Sequence, residues 1–76
     1  MEILFITEGR EAAKSGRAAA IRRSARLSQA DVARELGVTT SAVCKWERGD
    51  RVPRAAVAAK YAQLLRQLAD VAEAWP

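Results

Sequence analysis

Two pairs of helix start and stop signals in segment 28–49 constrain this chain more than any other feature. Ser28 and Thr39 are each followed by a run with apolar residues at helical spacing, and the two runs end at Gly37 and Gly49. A serine or threonine side chain accepts a backbone N–H from the first turn of a helix. Glycine ends a helix because it adopts the left-handed conformation without strain. The segment therefore predicts two short helices, from Ser28 to residue 36 and from about 40 to 48, joined by a sharp turn.

The side chains in this segment indicate how the two helices pack. Asp31 lies three residues after Ser28 and can bond back to the cap. Ala33 keeps a small side chain where the helices must cross closely. Apolar residues at helical spacing should face inward. They are Val32, Leu36, Val38, Val43 and Trp46.

The opposite face of the second predicted helix is polar and partly cationic. It carries Thr40, Ser41, Cys44, Lys45 and Arg48. The major groove of DNA, about 12 Å wide, accepts one helix, and side chains from that helix read the base edges. We expect Thr40, Ser41 and Lys45 to read bases. Cys44 either contacts a thymine methyl or makes no contact with DNA. The two helices thus form a helix-turn-helix motif.

The motif resembles one family in particular. The residues Leu27-Ser28-Gln29, Leu36-Gly37-Val38-Thr39 and Lys45-Trp46-Glu47-Arg48-Gly49 are similar to those of the phage repressor and Cro-type (xenobiotic-response-element, lambda-repressor-like) helix-turn-helix proteins. The resemblance covers about residues 16–60. It implies an all-α bundle of four to five helices that binds double-stranded DNA.

The resemblance also implies roles for individual residues. The family's base-facing positions are held by Thr40, Ser41, Cys44 and Lys45. Gln29 would hold a backbone phosphate, Thr39 or Thr40 would lie at the phosphate edge of the groove, and the loop with Arg51 and Arg54 would follow the DNA backbone, where the two arginines bind phosphate or one of them enters the minor groove. We also expect Arg48, on the outer face of the second helix, to bind phosphate. Arg22 and Glu47 would form a largely buried ion pair. Many relatives carry amides where this chain has Thr40 and Ser41. Since short hydroxyls discriminate between bases less well than amides, DNA shape should supply part of the specificity.

Length and composition limit the other possibilities. A chain of 76 residues forms one small domain with a thin core, so a homodimer is expected. The net charge of +4 favours a polyanionic partner. One cysteine and no histidine leave no intrachain disulfide, no zinc-type site and no evident catalytic group. We therefore expect a non-enzymatic, cytoplasmic protein without cofactor, metal, small-molecule ligand or membrane span.

The sequence divides into three parts. Residues 1–10 are an apolar N-terminal arm, 11–60 the DNA-binding domain, and 61–76 the end of the last helix. We prefer an extended arm over residues 2–6 to the alternative, in which Thr7 caps a helix that starts near Glu8 and residues 2–6 form an apolar tail. An alanine-rich helix is predicted from about Glu11 to Arg26.

No glycine or proline interrupts the chain from Arg54 to Trp75, so the sequence predicts one long helix there. Its apolar stripe extends beyond what a small bundle can bury. We assign the end of the stripe to dimerisation. The residues are Leu65, Leu68, Val71 and Trp75. The alternative is a separate fifth helix that folds back within one protomer.

Three functions are consistent with these features. The preferred one is a phage or prophage Cro-like transcriptional repressor that binds a palindromic operator as a homodimer. A second is the antitoxin of a toxin-antitoxin pair, which would use the same motif to regulate its own operon and bind a toxin protein. A third, from another class, is an adaptor that binds protein and no DNA.

Overall fold

The computed structural model describes residues 2–74, which form five α-helices and no strand. The helices are α1 (Glu2–Ser15), α2 (Arg17–Ser24), α3 (Gln29–Leu36), α4 (Thr40–Arg48) and α5 (Ala55–Ala74). The predicted all-α bundle with a long last helix is confirmed.

Local side-chain chemistry sets the start of α3. The hydroxyl of Ser28 accepts the backbone N–H of Asp31 at 3.0 Å, and the Asp31 carboxylate accepts the backbone N–H of Ser28 at 2.8 Å. These reciprocal bonds satisfy two N–H groups that have no partner within the helix. At the other end Gly37 takes the left-handed conformation with φ 71°. Helix α3 therefore has the bounds that the sequence predicts.

Helix α4 is bounded in the same way. The Thr39 hydroxyl accepts the backbone N–H of Ala42 at 3.1 Å, and the backbone turns left-handed at Gly49. The predicted bounds of α4 are confirmed. Because both ends are fixed by short-range bonds, the register of its side chains follows directly from the sequence.

The core lies where α3, α4 and α5 meet the alanine-rich faces of α1 and α2. Large apolar side chains from α3, α4 and α5 fill its centre, and small ones line the helix crossings. The cluster comprises Ala12, Ala13, Ala18, Val32, Ala33, Leu36, Val43, Trp46, Tyr61 and Leu65. The inward-facing residues predicted from the motif belong to this core or, in the case of Val38, pack against it.

The N-terminal segment departs from both sequence interpretations. Residues 2–6 are neither an extended arm nor a tail before a helix at Glu8, because α1 is helical from Glu2. The hydroxyl of Thr7 donates to the carbonyl oxygen of Ile3 within the helix instead of capping it. The single helix predicted from Glu11 to Arg26 is also wrong. It is divided at Gly16, which has φ 87° and separates α1 from α2.

A very close helix contact packs α1 against α5. A Cβ atom added at Gly9 would lie 2.0 Å from the carbonyl oxygen of Ala58, so only glycine permits this approach of α1 to α5. The Arg66 guanidinium adds a hydrogen-bonded ion pair with Glu8 at the surface and lies 5.2 Å from the centre of the Phe5 ring. Packing against α5 covers part of the apolar run that was expected to need an extended partner.

Helix α5 is continuous to Ala74, which rules out the separate fold-back helix. One dimerisation residue was wrongly assigned: Leu65 is 2% exposed and belongs to the core of its own chain. Leu68 is half-buried and Val71 is exposed. Trp75 lies outside the described residues. None of the helices within residues 2–74 is long and apolar enough to cross a membrane.

Candidate nucleic-acid interface

One face of α4 is fixed in the protein interior. Val43 is fully buried and Trp46 is 5% exposed. The Trp46 indole contacts the Tyr61 ring of α5, with ring centroids 5.3 Å apart and planes inclined by 46°. Such a tilted aromatic pair is a favourable geometry. These contacts set the rotation of α4 about its axis and thereby decide which side chains face outward.

An ion pair ties α4 to α2. Arg22 donates through Nε to Glu47 Oε2 at 2.7 Å and through Nη2 to Glu47 Oε1 at 2.9 Å, while its Nη1 donates to the carbonyl oxygen of Leu27. Both side chains are almost completely buried. A two-pronged guanidinium–carboxylate contact fixes orientation as well as distance. The arrangement holds α4 against α2.

The electrostatics of the pair follow from its burial and its hydrogen bonds. Burial by itself raises the pKa of Glu47, but hydrogen bonds from Arg22 and Gln29 outweigh it and lower that pKa below its ordinary value. The hydrogen bond with Glu47 raises the pKa of Arg22. Both groups are therefore charged at neutral pH, and neither can be removed without leaving the other charge buried and unpaired.

Gln29 contacts the same carboxylate. Its Nε2 donates to Glu47 Oε1 at 2.9 Å, so the start of α3 is attached to α4 through a side chain. One amide hydrogen of Gln29 is used in this bond. Its other N–H remains for a phosphate oxygen, as the resemblance implies.

The predicted base-reading residues lie together on the exposed side of α4. Thr40 and Ser41 are exposed, whereas Cys44 and Lys45 are half-buried. Within residues 2–74, the side chains of Thr40, Ser41 and Lys45 make no hydrogen bond or ion pair. Polar groups that the fold does not use are available to an external partner.

Two more of the predicted phosphate-binding residues, besides Gln29, already have bonds within the chain. The guanidinium of Arg48 donates to the Asp50 carboxylate through Nε at 2.9 Å at the end of α4. Arg48 would have to exchange this carboxylate for a phosphate oxygen. The Thr39 hydroxyl accepts the capping bond, which leaves its O–H hydrogen free to donate.

The loop after α4 presents the remaining predicted cations. Arg51 and Arg54 are exposed on either side of the buried Pro53. Sequence reasoning missed a neighbour of this loop: Arg10 of α1 donates through Nε to the Pro53 carbonyl oxygen at 3.1 Å. No periodic pattern in the sequence relates α1 to this loop, so only the folded chain reveals the contact.

Within residues 2–74 no cluster of three or more histidine, cysteine, aspartate or glutamate side chains could hold a metal ion.

Comparison with known proteins gives a family match: the Helix-turn-helix family matches residues 19–71, well over half of the chain. No curated protein and no solved structure matches the chain significantly. Residues 19–71 contain the capped α3–α4 pair and the polar face of α4 described above. The chain belongs to the helix-turn-helix family, in its xenobiotic-response-element or lambda-repressor-like form.

Proposed function

We propose that this protein is a transcriptional repressor of the phage or prophage Cro type that binds a palindromic double-stranded DNA site as a homodimer. The observation that carries the proposal is the two-sided character of α4. Its apolar side is locked into the core by Val43 and Trp46, and its other side offers Thr40, Ser41 and Lys45 to solvent. A rigid helix with unpaired polar side chains on its outer face is what direct base readout requires.

In this function α4 enters the major groove with its first turns against the base edges. The Lys45 ammonium donates to the O6 and N7 acceptors of guanine, and the Thr40 and Ser41 hydroxyls contact neighbouring bases. Cys44 lies between these residues and is small enough to approach a thymine methyl group. Since a hydroxyl both donates and accepts hydrogen bonds, it bonds to more than one kind of base and discriminates weakly. The shape of the duplex contributes the rest of the specificity.

Backbone contacts position the helix in the groove. Gln29 and Thr39 stand at the starts of α3 and α4, where unpaired N–H groups and the helix dipole favour phosphate. Arg48 is the last residue of α4, Arg51 and Arg54 follow it, and all three supply positive charge at this end of the helix. These contacts set register and affinity without carrying sequence information.

A homodimer doubles the length of DNA that is read. Two copies of α4 about 34 Å apart would enter successive major grooves on one side of the duplex. We assign the dimer contact to the end of α5, where Val71 is 45% exposed beside the half-buried Leu68. The exposed Ile3 and Leu4 at the start of α1 form the competing surface.

Selection of binding sites from a pool of random duplexes tests the function directly. A preferred, two-fold symmetric sequence is expected, bound more tightly than random duplex, with log affinity falling linearly with log salt concentration. Failure to enrich any sequence would contradict specific recognition. A protein with no salt-dependent affinity for duplex DNA would instead be the adaptor.

Replacement of Lys45 tests the assigned reading residue. Lys45→Ala should relax the preference at one or two base pairs, by about 1–3 kcal/mol, because a lysine–guanine contact distinguishes bases. Lys60→Ala removes the same charge from an exposed position of α5 and should leave the preference unchanged. Equal weakening on selected and random duplexes by Lys45→Ala would exclude a base-reading role.

Analytical ultracentrifugation tests the dimer. Val71→Asp should convert a dimer into a folded monomer, since a charge at a packed apolar contact is costly. Leu4→Asp at the competing surface should leave the mass unchanged. The opposite pattern would move the interface to α1, and a wild-type monomer at all concentrations would refute the homodimer.

A further inference from the structure

Helix α1 lies outside the matched family region, yet it brings positive charge to the loop beside the recognition helix. Arg10 and Lys14 lie four residues apart on α1, so their side chains project from one face of that helix. Together with Arg51 they line a cleft whose floor includes Trp46 and Gly49. Three exposed cations thus face a cleft that contains a single carboxylate, that of Glu11.

A second cleft continues this charge on the other side of the loop. Arg51 and Val52 line both clefts and form the ridge between them, and Arg54 lines the second. The hydrogen bond from Arg10 to the Pro53 carbonyl oxygen holds α1 against this ridge. We call the continuous surface made by Lys14, Arg10, Arg51 and Arg54 the basic strip.

The position of the basic strip relative to α4 indicates its partner. Helix α4 has nine residues and is therefore about 13 Å long, close to the 12 Å width of the major groove. When its first turns face the bases, its last residue lies near the sugar-phosphate backbone that borders the groove. Gly49, the residue that ends α4, lines the first cleft together with Arg51. A bound duplex would thus place phosphates next to Arg51 and, beyond it, next to α1.

We propose that Arg10 and Lys14 of α1 bind DNA backbone phosphates and so extend the contact surface of the helix-turn-helix domain with a helix that the family region does not include. The proposal rests on the DNA-binding function above. The exposed Val52 on the ridge is suited to the apolar face of a sugar. Arg10 has its Nε occupied by the loop and offers its two terminal nitrogens, while Lys14 makes no bond within residues 2–74.

Salt titrations of duplex binding with Lys14→Gln test the proposal. Each phosphate contact contributes about 0.9 to the slope of log affinity against log salt. Loss of one contact should lower the slope by about that amount and weaken binding about eightfold at 0.1 M salt, equally on selected and random duplexes. Lys14→Arg should keep the wild-type slope. Lys60→Gln, the same charge change in a cleft between α3 and α5, should also keep it.

Ethylation interference locates the contact, because ethylation removes the negative charge of a phosphate, which then no longer attracts the lysine ammonium. Ethylation of at least one phosphate should weaken DNA binding by the wild type and have no effect on DNA binding by Lys14→Gln. An unchanged slope and interference pattern in Lys14→Gln, with a wild type that binds duplex, would overturn this inference alone. Equal losses of affinity in Lys14→Gln and Lys60→Gln would also overturn it, because binding would then depend only on the overall charge of the protein. A wild type that binds no duplex would overturn the proposed function and this inference together.

Discussion

The α3–α4 unit and the α1–α5 contact are stabilised in different ways. Helices α3 and α4 carry their own boundary signals, with hydroxyl caps at Ser28 and Thr39 where they begin and left-handed glycines, Gly37 and Gly49, where they end. Helix α1 lies against α5 through a glycine, with its Cα close to the carbonyl of Ala58. The first region depends on bonds between residues three to five apart, the second on a contact between residues about fifty apart.

The two regions also differ in the kind of contact that holds them in place. The α3–α4 unit is held to α2 by the buried pair of Arg22 and Glu47, a directional contact with fixed geometry. The ion pair between Glu8 and the exposed Arg66 lies at the surface, where such pairs contribute little, so the close packing at Gly9 dominates the α1–α5 contact. Charge orients α4, whereas close packing positions α1.

Glu47→Ala should have the largest effect on stability. It leaves the Arg22 guanidinium buried without its counter-ion, and loss of one partner of a buried pair costs about 3–5 kcal/mol. The free energy of unfolding from urea titration measures this loss. Glu35→Ala, which removes an exposed carboxylate from α3, should change stability by less than about 0.5 kcal/mol. Equal effects of the two substitutions would mean that the buried pair does not hold α4 in place.

Acid should act on the same pair. The pKa of Glu47 is lowered from its ordinary value of 4.5 in the folded protein, so the unfolded state binds the proton more tightly. The stability that Glu47 contributes is therefore complete above about pH 4.5 and is lost as the pH falls toward its folded-state pKa. Urea titrations between pH 3 and 7, compared with those of Glu47→Gln, isolate this contribution. Parallel curves for the two proteins would contradict it.

Gly9→Ala should come next and should act on the other region. The new Cβ would overlap the Ala58 carbonyl, and inserting an atom into a well-packed contact costs about 1–3 kcal/mol. Gly37→Ala is the matched comparison, because nothing lies within 4 Å of its new Cβ and only the left-handed backbone opposes it. Asparagine tolerates that backbone, so Gly37→Asn should recover stability relative to Gly37→Ala, whereas Gly9→Asn should be worse than Gly9→Ala. The same order at both sites would show that α1 does not approach α5 as closely as described.

The same contrast explains what the sequence could predict. The bounds of α3 and α4 and the inward positions of Val32 and Val43 follow from local caps and helical spacing, and all were predicted. The helical state of residues 2–6 was not, because an apolar pentapeptide has no local signal for its partner. Gly9 looks like a break in sequence, but in the fold it is the contact point with Ala58.

The candidate site was predictable to a similar degree. The exposed face of α4 follows from its periodicity, so Thr40 and Lys45 could be located in advance. The approach of Lys14 to Arg51 depends on how α1 crosses the bundle, which no pattern of spacing encodes. Leu65 was assigned to the surface because the length of the stripe suggested an excess of apolar residues, whereas α1 and α2 bury more of α5 than expected.

Removal of single hydroxyls should have smaller and opposite effects in the two regions. Ser28→Ala removes the cap of α3 and should cost about 1 kcal/mol. In α1, the Thr7 hydroxyl bonds back to the Ile3 carbonyl oxygen, an arrangement that does not favour a helix, and alanine has the higher helix propensity. Thr7→Ala should therefore be neutral or stabilising by a few tenths of a kcal/mol. Thermal unfolding of both variants measures the difference. A loss of stability in Thr7→Ala as large as that in Ser28→Ala would contradict the prediction.

Tyr61→Phe should have a small effect in the stabilising direction, at the place where the two regions meet. Tyr61 packs against Trp46 of α4 from α5, and within residues 2–74 no group forms a hydrogen bond with its buried hydroxyl. Burial raises the pKa of Tyr61 to about 12, and the nearby Glu47 carboxylate adds to the shift, so the hydroxyl stays neutral. Removing a buried hydroxyl without a partner relieves its desolvation cost, so stability should stay equal or rise by up to about 1 kcal/mol. A clear loss in urea titration would show instead that this hydroxyl bonds across the joint and that the two regions share a polar contact.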